Sequence, residues 1–335
     1  MKATLAKILG LLFSLSVLMM MSCEGPEGPQ GPEGPQGEDG KDMAINCMDC
    51  HNETTLLKAK MMQYENSSHY MGTSYVRASS ASCATCHSNE GFNVLITEGA
   101  DAVVGVEEPT PVACRTCHEI HETYTEADYA LKGTGNFNLV GDQTGNATVE
   151  MGKGNLCGKC HQTRERGYGI TVDSPNTDSI NISSSHWGPH YGAQTNIFVG
   201  KGGVEIGDGF VSEHSHASVA DGCVSCHANT GDHTFKANID ACQKCHATAE
   251  DFAYRGFQES METLIAELEG KLVAAGLLEV EHPGEKGHPI AGVKATHNQA
   301  GALFNYFLIY DDGSKGLHNP PYAKKLLENS IAVFN

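Results

Sequence analysis

The sequence has little of what ordinarily fills a protein interior. Its 335 residues include one Trp, aromatics are 7% of the chain, and the apolar set AVILMFWYC reaches only 40%. The length would suit two or three ordinary domains, but so little bulky side-chain material leaves much of such an interior open to water. A cofactor is therefore expected to supply the missing filling. Positive charge is also scarce: 22 Lys and Arg against 41 Asp and Glu give a formal net charge of −19, or −21 once Lys2 and Lys7 are set aside with the N-terminal segment. An acidic surface of this kind repels phosphate backbones, so no nucleic-acid partner is expected. No run reaches the roughly 20 apolar residues that a membrane-spanning helix requires, so the mature chain is not expected to cross a bilayer.

Residues 1–22 place Lys2 and Lys7 ahead of the apolar run Ile8 to Met21, the layout of a secretory signal peptide. Ser22-Cys23 follows directly and resembles a bacterial lipobox, with Met20 where such boxes usually carry Leu. Acylation of Cys23 would hold the chain to a membrane surface without crossing it; the alternative is ordinary cleavage nearby with Cys23 incidental. Residues 25–42 are six uninterrupted Gly-X-Y triplets, from Gly25-Pro26-Glu27 to Gly40-Lys41-Asp42. Such a run favours polyproline II and works as a stiff spacer of about 55 Å at about 3.1 Å per residue, with a collagen-like trimer as the rival reading. The expected organisation is a signal peptide at 1–22, a lipid-anchor Cys and spacer at 23–42, and a cofactor-bearing domain at 43–335 with C-terminal helices from about 251.

Beyond Cys23, the remaining twelve cysteines all fall in one motif: Cys47-Met48-Asp49-Cys50-His51, Cys83-Ala84-Thr85-Cys86-His87, Cys114-Arg115-Thr116-Cys117-His118, Cys157-Gly158-Lys159-Cys160-His161, Cys223-Val224-Ser225-Cys226-His227 and Cys242-Gln243-Lys244-Cys245-His246. CxxC alone fits a redox dithiol or half a zinc ribbon, whereas CxxCH marks covalent c-type haem attachment. With His at about one residue in twenty, six accidental histidines in that place have odds of roughly one in 10⁷ to 10⁸. The spacing has a chemical reason. Cysteines three apart share one face of a helical turn and can form two thioethers to one porphyrin, and the next residue brings an imidazole over the iron. Zinc would need four ligands from two motifs and would leave every following His without a role. A disulfide within a CxxC closes too small a ring to stabilise much.

On these motifs the chain resembles the multihaem c-type cytochromes from residue 47 to about 330. The resemblance implies six covalent haem c groups and a mainly α fold with extensive loops, a haem-stacked core and little β structure. Successive motifs start 36, 31, 43, 66 and 19 residues apart, too close for each haem to own a globin-sized fold. Residues 47 to about 130 are expected to carry three haems, 131–200 one and 201–250 two. The proximal iron ligands are then His51, His87, His118, His161, His227 and His246.

Eleven other histidines compete for the distal positions, and their excess over Met favours bis-histidine, low-potential coordination. His121, three residues after His118, is expected on the same helical face, reaching an adjacent iron. His69 and His216 stand upstream of the motifs at 83 and 223, with His214 competing with His216. His233 lies between the two closest motifs. His190 and His186 flank Trp187-Gly188-Pro189, with His190 preferred and Trp187 expected against a porphyrin. His318 precedes a final helix over Tyr322 to Val333, in a stretch similar to the C-terminus of pentahaem nitrite reductases. His282 and His288 read as exposed loop residues, and His297 stays open. Met261, Leu264, Ile265, Leu268 and Leu272 predict an amphipathic helix over 251–278, and the glycines at 200–209 suggest a turn-rich segment or small hairpin.

The expected function is electron transfer through closely packed haems, by an exported protein anchored at the outer membrane, facing the cell surface or the periplasm. Its partners would be other redox proteins or extracellular electron acceptors. Rival readings are a reductase of nitrite, hydroxylamine or a sulfur oxyanion, and a filament-forming or otherwise homo-oligomeric cytochrome. No catalytic residue is assigned, since all six motifs end in His.

Overall fold

The computed structural model describes residues 47, 51, 56–141, 147–164, 170, 179–282 and 284–335. The signal segment, Cys23, the triplet spacer and Cys50 lie outside the described residues. Among those described, the fold is mainly helical with extensive loops, and the strands form three two-stranded antiparallel ladders. No described helix is long and apolar enough to cross a membrane.

The chain up to residue 243 is built from short helices: α1 (Leu56–Glu65), α2 (Ser68–Met71), α3 (Ala81–His87), α4 (Asn89–Thr97), α5 (Cys114–Cys117), α6 (Gly154–Gly158), α7 (Gln194–Phe198), α8 (Cys223–His227) and α9 (Ile239–Gln243). Polar caps set several of their limits. Ser88 Oγ donates to Ala84 O at the end of α3 (3.1 Å) and accepts from Gly91 N at the start of α4 (3.0 Å), so one hydroxyl ends one helix and starts the next. Apolar support here is slight. Ala78, Ala84 and Val103 make one small buried cluster, and Leu139, Val149, Met151 and Phe198 another, beside the ladder of β1 (Phe137–Asn138) and β2 (Thr148–Val149).

The chain from residue 257 onward is different. Helices α10 (Phe257–Ala274), α11 (His297–Asp312) and α12 (Pro320–Ala332) pack around one cluster that includes Met261, Leu268, Leu272, Leu303, Phe304, Leu308, Leu326 and Leu327. Helix α11 starts in a reciprocal cap: Thr296 Oγ1 accepts from Gln299 N (3.3 Å) and Gln299 Oε1 accepts from Thr296 N (3.0 Å). It ends at Gly313, whose φ of 70° suits glycine. Helix α11 is buried along most of its length, as expected of a helix apolar on all sides. Two ladders flank the cluster: β3 (Ser179–Asn181) pairs with β6 (Lys294–Thr296), and β4 (Leu278–Glu279) with β5 (His288–Pro289).

Several expectations need correcting. Residues 200–209 are the turn-rich segment rather than the small hairpin; the segment is fixed by Asn305, which accepts from Val204 N (2.8 Å) and donates to Val204 O (2.8 Å). A Cβ at Gly301 would stand 2.7 Å from Val204 Cγ1, so this approach requires glycine. The amphipathic helix is shorter than 251–278, and the final helix begins at Pro320, suited to a first turn that has no carbonyl partner for its N–H. Trp187 is buried in the protein's own apolar cluster, and His288 is exposed but in a strand. The aliphatic interior expected to be missing is present in the C-terminal third.

Candidate metal centres: six histidine pairs

Each motif opens on a tight turn. His51 N, His118 N, His161 N and His246 N donate to the carbonyl of the first Cys of their motifs at 2.8, 2.9, 2.9 and 2.8 Å. In the other two motifs α3 and α8 run from the cysteines to the His. In the five motifs whose cysteines are both described, this turn places both sulfurs and the imidazole on one side of the backbone because i, i+3 and i+4 share a helical face.

Every motif histidine then faces a second histidine. The ring centroids are 6.0 Å apart for His51 and His121, 6.1 Å for His87 and His190, 6.0 Å for His118 and His233, 5.9 Å for His161 and His69, 6.3 Å for His227 and His318, and 6.2 Å for His246 and His216. We number these sites 1 to 6 by motif. Two imidazoles sharing one metal through bonds of about 2 Å would have centroids about 6 Å apart, so each pair stands at the spacing that a shared metal atom would give.

In five of the twelve rings the second nitrogen meets a neutral acceptor, as a metal-bound histidine needs. Nδ1 of His118, His216, His227 and His233 lies 2.8, 2.7, 3.0 and 2.9 Å from the carbonyl oxygens of Tyr129, Leu317, Phe235 and Gly231, and Nδ1 of His161 lies 3.3 Å from Gln194 Oε1. Each acceptor fixes a proton on Nδ1 and leaves the Nε2 lone pair for a metal. Burial, joined by the nearby His161, holds His69 down to about 4; burial, with Arg164, His87 and Arg77, does the same to His190. Both rings are therefore neutral at pH 7, the form in which imidazole ligates. His214 behaves differently: its Nδ1 accepts from His216 N (3.2 Å), which puts the proton of the neutral ring on Nε2.

The distal residues are held by loops. His121 does not continue a helix with His118; the chain is extended at His118 and has φ of 68° at His121. Buried Asp128 imposes this turn by accepting from His121 N (2.8 Å), Thr123 N (2.7 Å) and Tyr124 N (3.0 Å). Arg115 Nη2 donates to His121 Nδ1 (2.9 Å) on the exposed side of site 1. His233 sits in a loop pinned to α1, where Gln63 Oε1 accepts from His233 N (3.2 Å) and Lys60 Nζ donates to Gly231 O (2.5 Å). Phe235 follows, with its ring 5.0 Å from that of His69 and 5.7 Å from that of His233, while its carbonyl serves His227. Sites 3, 4 and 5 therefore meet at one residue.

The attachment cysteines also converge. Cys86 and Cys160 are within hydrogen-bonding reach of each other, as are Cys157 and Cys223, so site 4 adjoins sites 2 and 5. Cys226 feels Cys242 and Cys245, which puts site 6 beside site 5. Burial and the neighbouring sulfurs raise the thiols of Cys117, Cys160 and Cys223. Around the first three motifs Leu56, Met61, Met62, Met71 and Val76 are exposed in the bare polypeptide, a surface suited to covering by an apolar macrocycle. On ring spacing, apolar surroundings and the Nδ1 acceptors behind His118, His161, His216, His227 and His233, the residues present fit haem; His121, whose Nδ1 accepts from Arg115, is the exception in tautomer.

His186 and His288 line a small cavity with Trp187, Tyr191 and Lys286 and face no motif histidine. His297 is buried at the start of α11, and its Nε2 has no hydrogen-bond partner among the described residues. His282 is exposed. Sequence reasoning missed Asp128, Gln194, Phe235 and Asp312, because a residue that orients a ligand from a distant stretch leaves no spacing signal.

Residues 36–119 match the family described as "Cytochrome c7 and related cytochrome c", which implies covalently bound haem c and supports electron transfer. The crystal structure of the outer cell wall cytochrome OcwA superposes with a TM-score of 0.49 and 19% identity over 82% of this chain and 50% of that one. This chain thus spans about half the length of that protein. No curated protein sequence matches it.

Proposed function

We propose that the protein is an electron carrier holding six haem c groups, each bound by one CxxCH motif and one distal histidine. The pairs would be His51 with His121, His87 with His190, His118 with His233, His161 with His69, His227 with His318, and His246 with His216. The observation carrying this reading is that all six motif histidines have another imidazole at the centroid spacing a shared metal atom would give. When bound, the haems supply one-electron centres of low potential. The residues do the rest. The paired sulfurs fix the centres at short range, the carbonyl acceptors fix ring orientation, and Phe235 and the convergent cysteines keep neighbouring sites close enough for electron exchange.

A carrier fits better than a reductase. Reduction of nitrite, hydroxylamine or a sulfur oxyanion would need one iron with an open position, and each pair here offers two ligands. The signal-like segment and the Cys23 lipobox resemblance support export and attachment to a membrane surface, with the triplets as tether and other redox proteins or extracellular acceptors as partners. Intact mass under denaturing conditions, after expression with haem-maturation machinery, is expected to equal the polypeptide plus six haems. The mass of the bare polypeptide would overturn the proposal.

A further inference from the structure

The six pairs differ in what stands behind the imidazoles. Asp312 ends α11 with a side chain fully removed from solvent, and its Oδ1 lies 2.5 Å from Nδ1 of His318. Its Oδ2 accepts from Ser314 N (3.3 Å) and from Ser314 Oγ, and Ser314 Oγ in turn accepts from His318 N (3.2 Å). Residues 312–318 thereby form a closed loop that holds the carboxylate against the ring. Among the described residues His318 is the histidine whose ring nitrogen meets a carboxylate; His118, His216, His227 and His233 meet neutral carbonyls.

We infer that Asp312 sets site 5 as the most reducing of the six centres. This rests on the haem assignment above. A ligand that gives its Nδ1 proton to a carboxylate becomes a stronger donor and stabilises the more highly charged state of the metal, here the ferric one. The effect is larger in a buried site, where a fixed charge is poorly screened. Site 4 adjoins site 5 through Cys157 and Cys223, so an electron on site 4 has a more reducing neighbour there. Asp312 acts through His318 and is a positioning and tuning residue.

The test is a potentiometric titration of the full-length, haem-loaded protein at pH 7, followed optically. His318→Met marks the component belonging to site 5, because a thioether ligand raises the potential. In the unaltered protein that component is expected to be the lowest. Asp312→Asn is expected to raise it by at least tenfold in the ferric-to-ferrous equilibrium, about 59 mV for one electron, and Asp312→Glu to keep it low. Asp311→Asn should move none of the six, since the Asp311 side chain pairs with Lys286 and with no ring. The inference is overturned if the component marked by His318→Met is not the lowest, a result that needs no Asp312 variant to fold. It is also overturned if Asp312→Asn leaves that component in place while six low-spin centres persist. Fewer than six haems in the unaltered protein would instead overturn the haem assignment.

Discussion

Between residues 56 and 130 the buried apolar cluster consists of Ala78, Ala84 and Val103, and Leu56, Met61, Met62, Met71 and Val76 stand exposed. Between residues 257 and 334, α10, α11 and α12 bury Met261, Leu268, Leu272, Leu303, Phe304, Leu308, Leu326 and Leu327 in one cluster. The first stretch carries two CxxCH motifs, with a third just ahead of it at 47–51, and the second carries none. Where haems attach, the chain keeps its helices short and leaves apolar surface for a macrocycle to cover. Where none attaches, it spends leucine and phenylalanine on an interior of its own. The C-terminal third then delivers His318 and Asp312 from a rigid base to a region that depends on its cofactors.

The largest effect should come from withholding haem. In the bare polypeptide, amide hydrogen exchange is expected to show residues 56–130 unprotected while α10, α11 and α12 keep slow exchange. Equal protection in both stretches would break the contrast. Phe304→Ala attacks the other side: loss of a fully buried ring should cost about 3–5 kcal/mol, measured as a lowered urea midpoint, with the haem count of the folded fraction unchanged. A smaller loss is expected for Asn155→Ala. Asn155 accepts from Met151 N (2.8 Å) and donates to Thr134 O (3.0 Å) and Asn136 Oδ1 (3.1 Å), so its removal should cost about 1–3 kcal/mol. Lys324→Ala breaks only an exposed pair with Glu328 (3.6 Å) on α12 and should change stability by no more than about 0.5 kcal/mol in the same titration.

The fold class was legible because CxxCH is a local pattern and because the motifs lie too close together for separate domains. The six distal candidates were chosen one at a time from position along the chain, and the structure sets each of them opposite a motif histidine. Which one faces which was not legible. His69 meets His161 and His233 meets His118 across 92 and 115 residues of sequence, a matter of tertiary topology that no spacing encodes. The expected helix through His118 and His121 failed because Asp128, seven residues after His121, outcompetes helical hydrogen bonding there. The C-terminal core was underestimated because low aromatic content was averaged over the whole chain, while leucine and isoleucine concentrate in α10 to α12. His214 and His216 are separated by tautomer, which follows from who donates to whom in the folded loop.

Low-temperature electron paramagnetic resonance of the fully oxidised protein, with spins integrated against total iron, tests the histidine pairing most directly. The account predicts six low-spin ferric centres per chain in the unaltered protein, and five low-spin plus one high-spin centre in His69→Ala. A high-spin centre already present in the unaltered protein, or a low-spin count unchanged by His69→Ala, would contradict it.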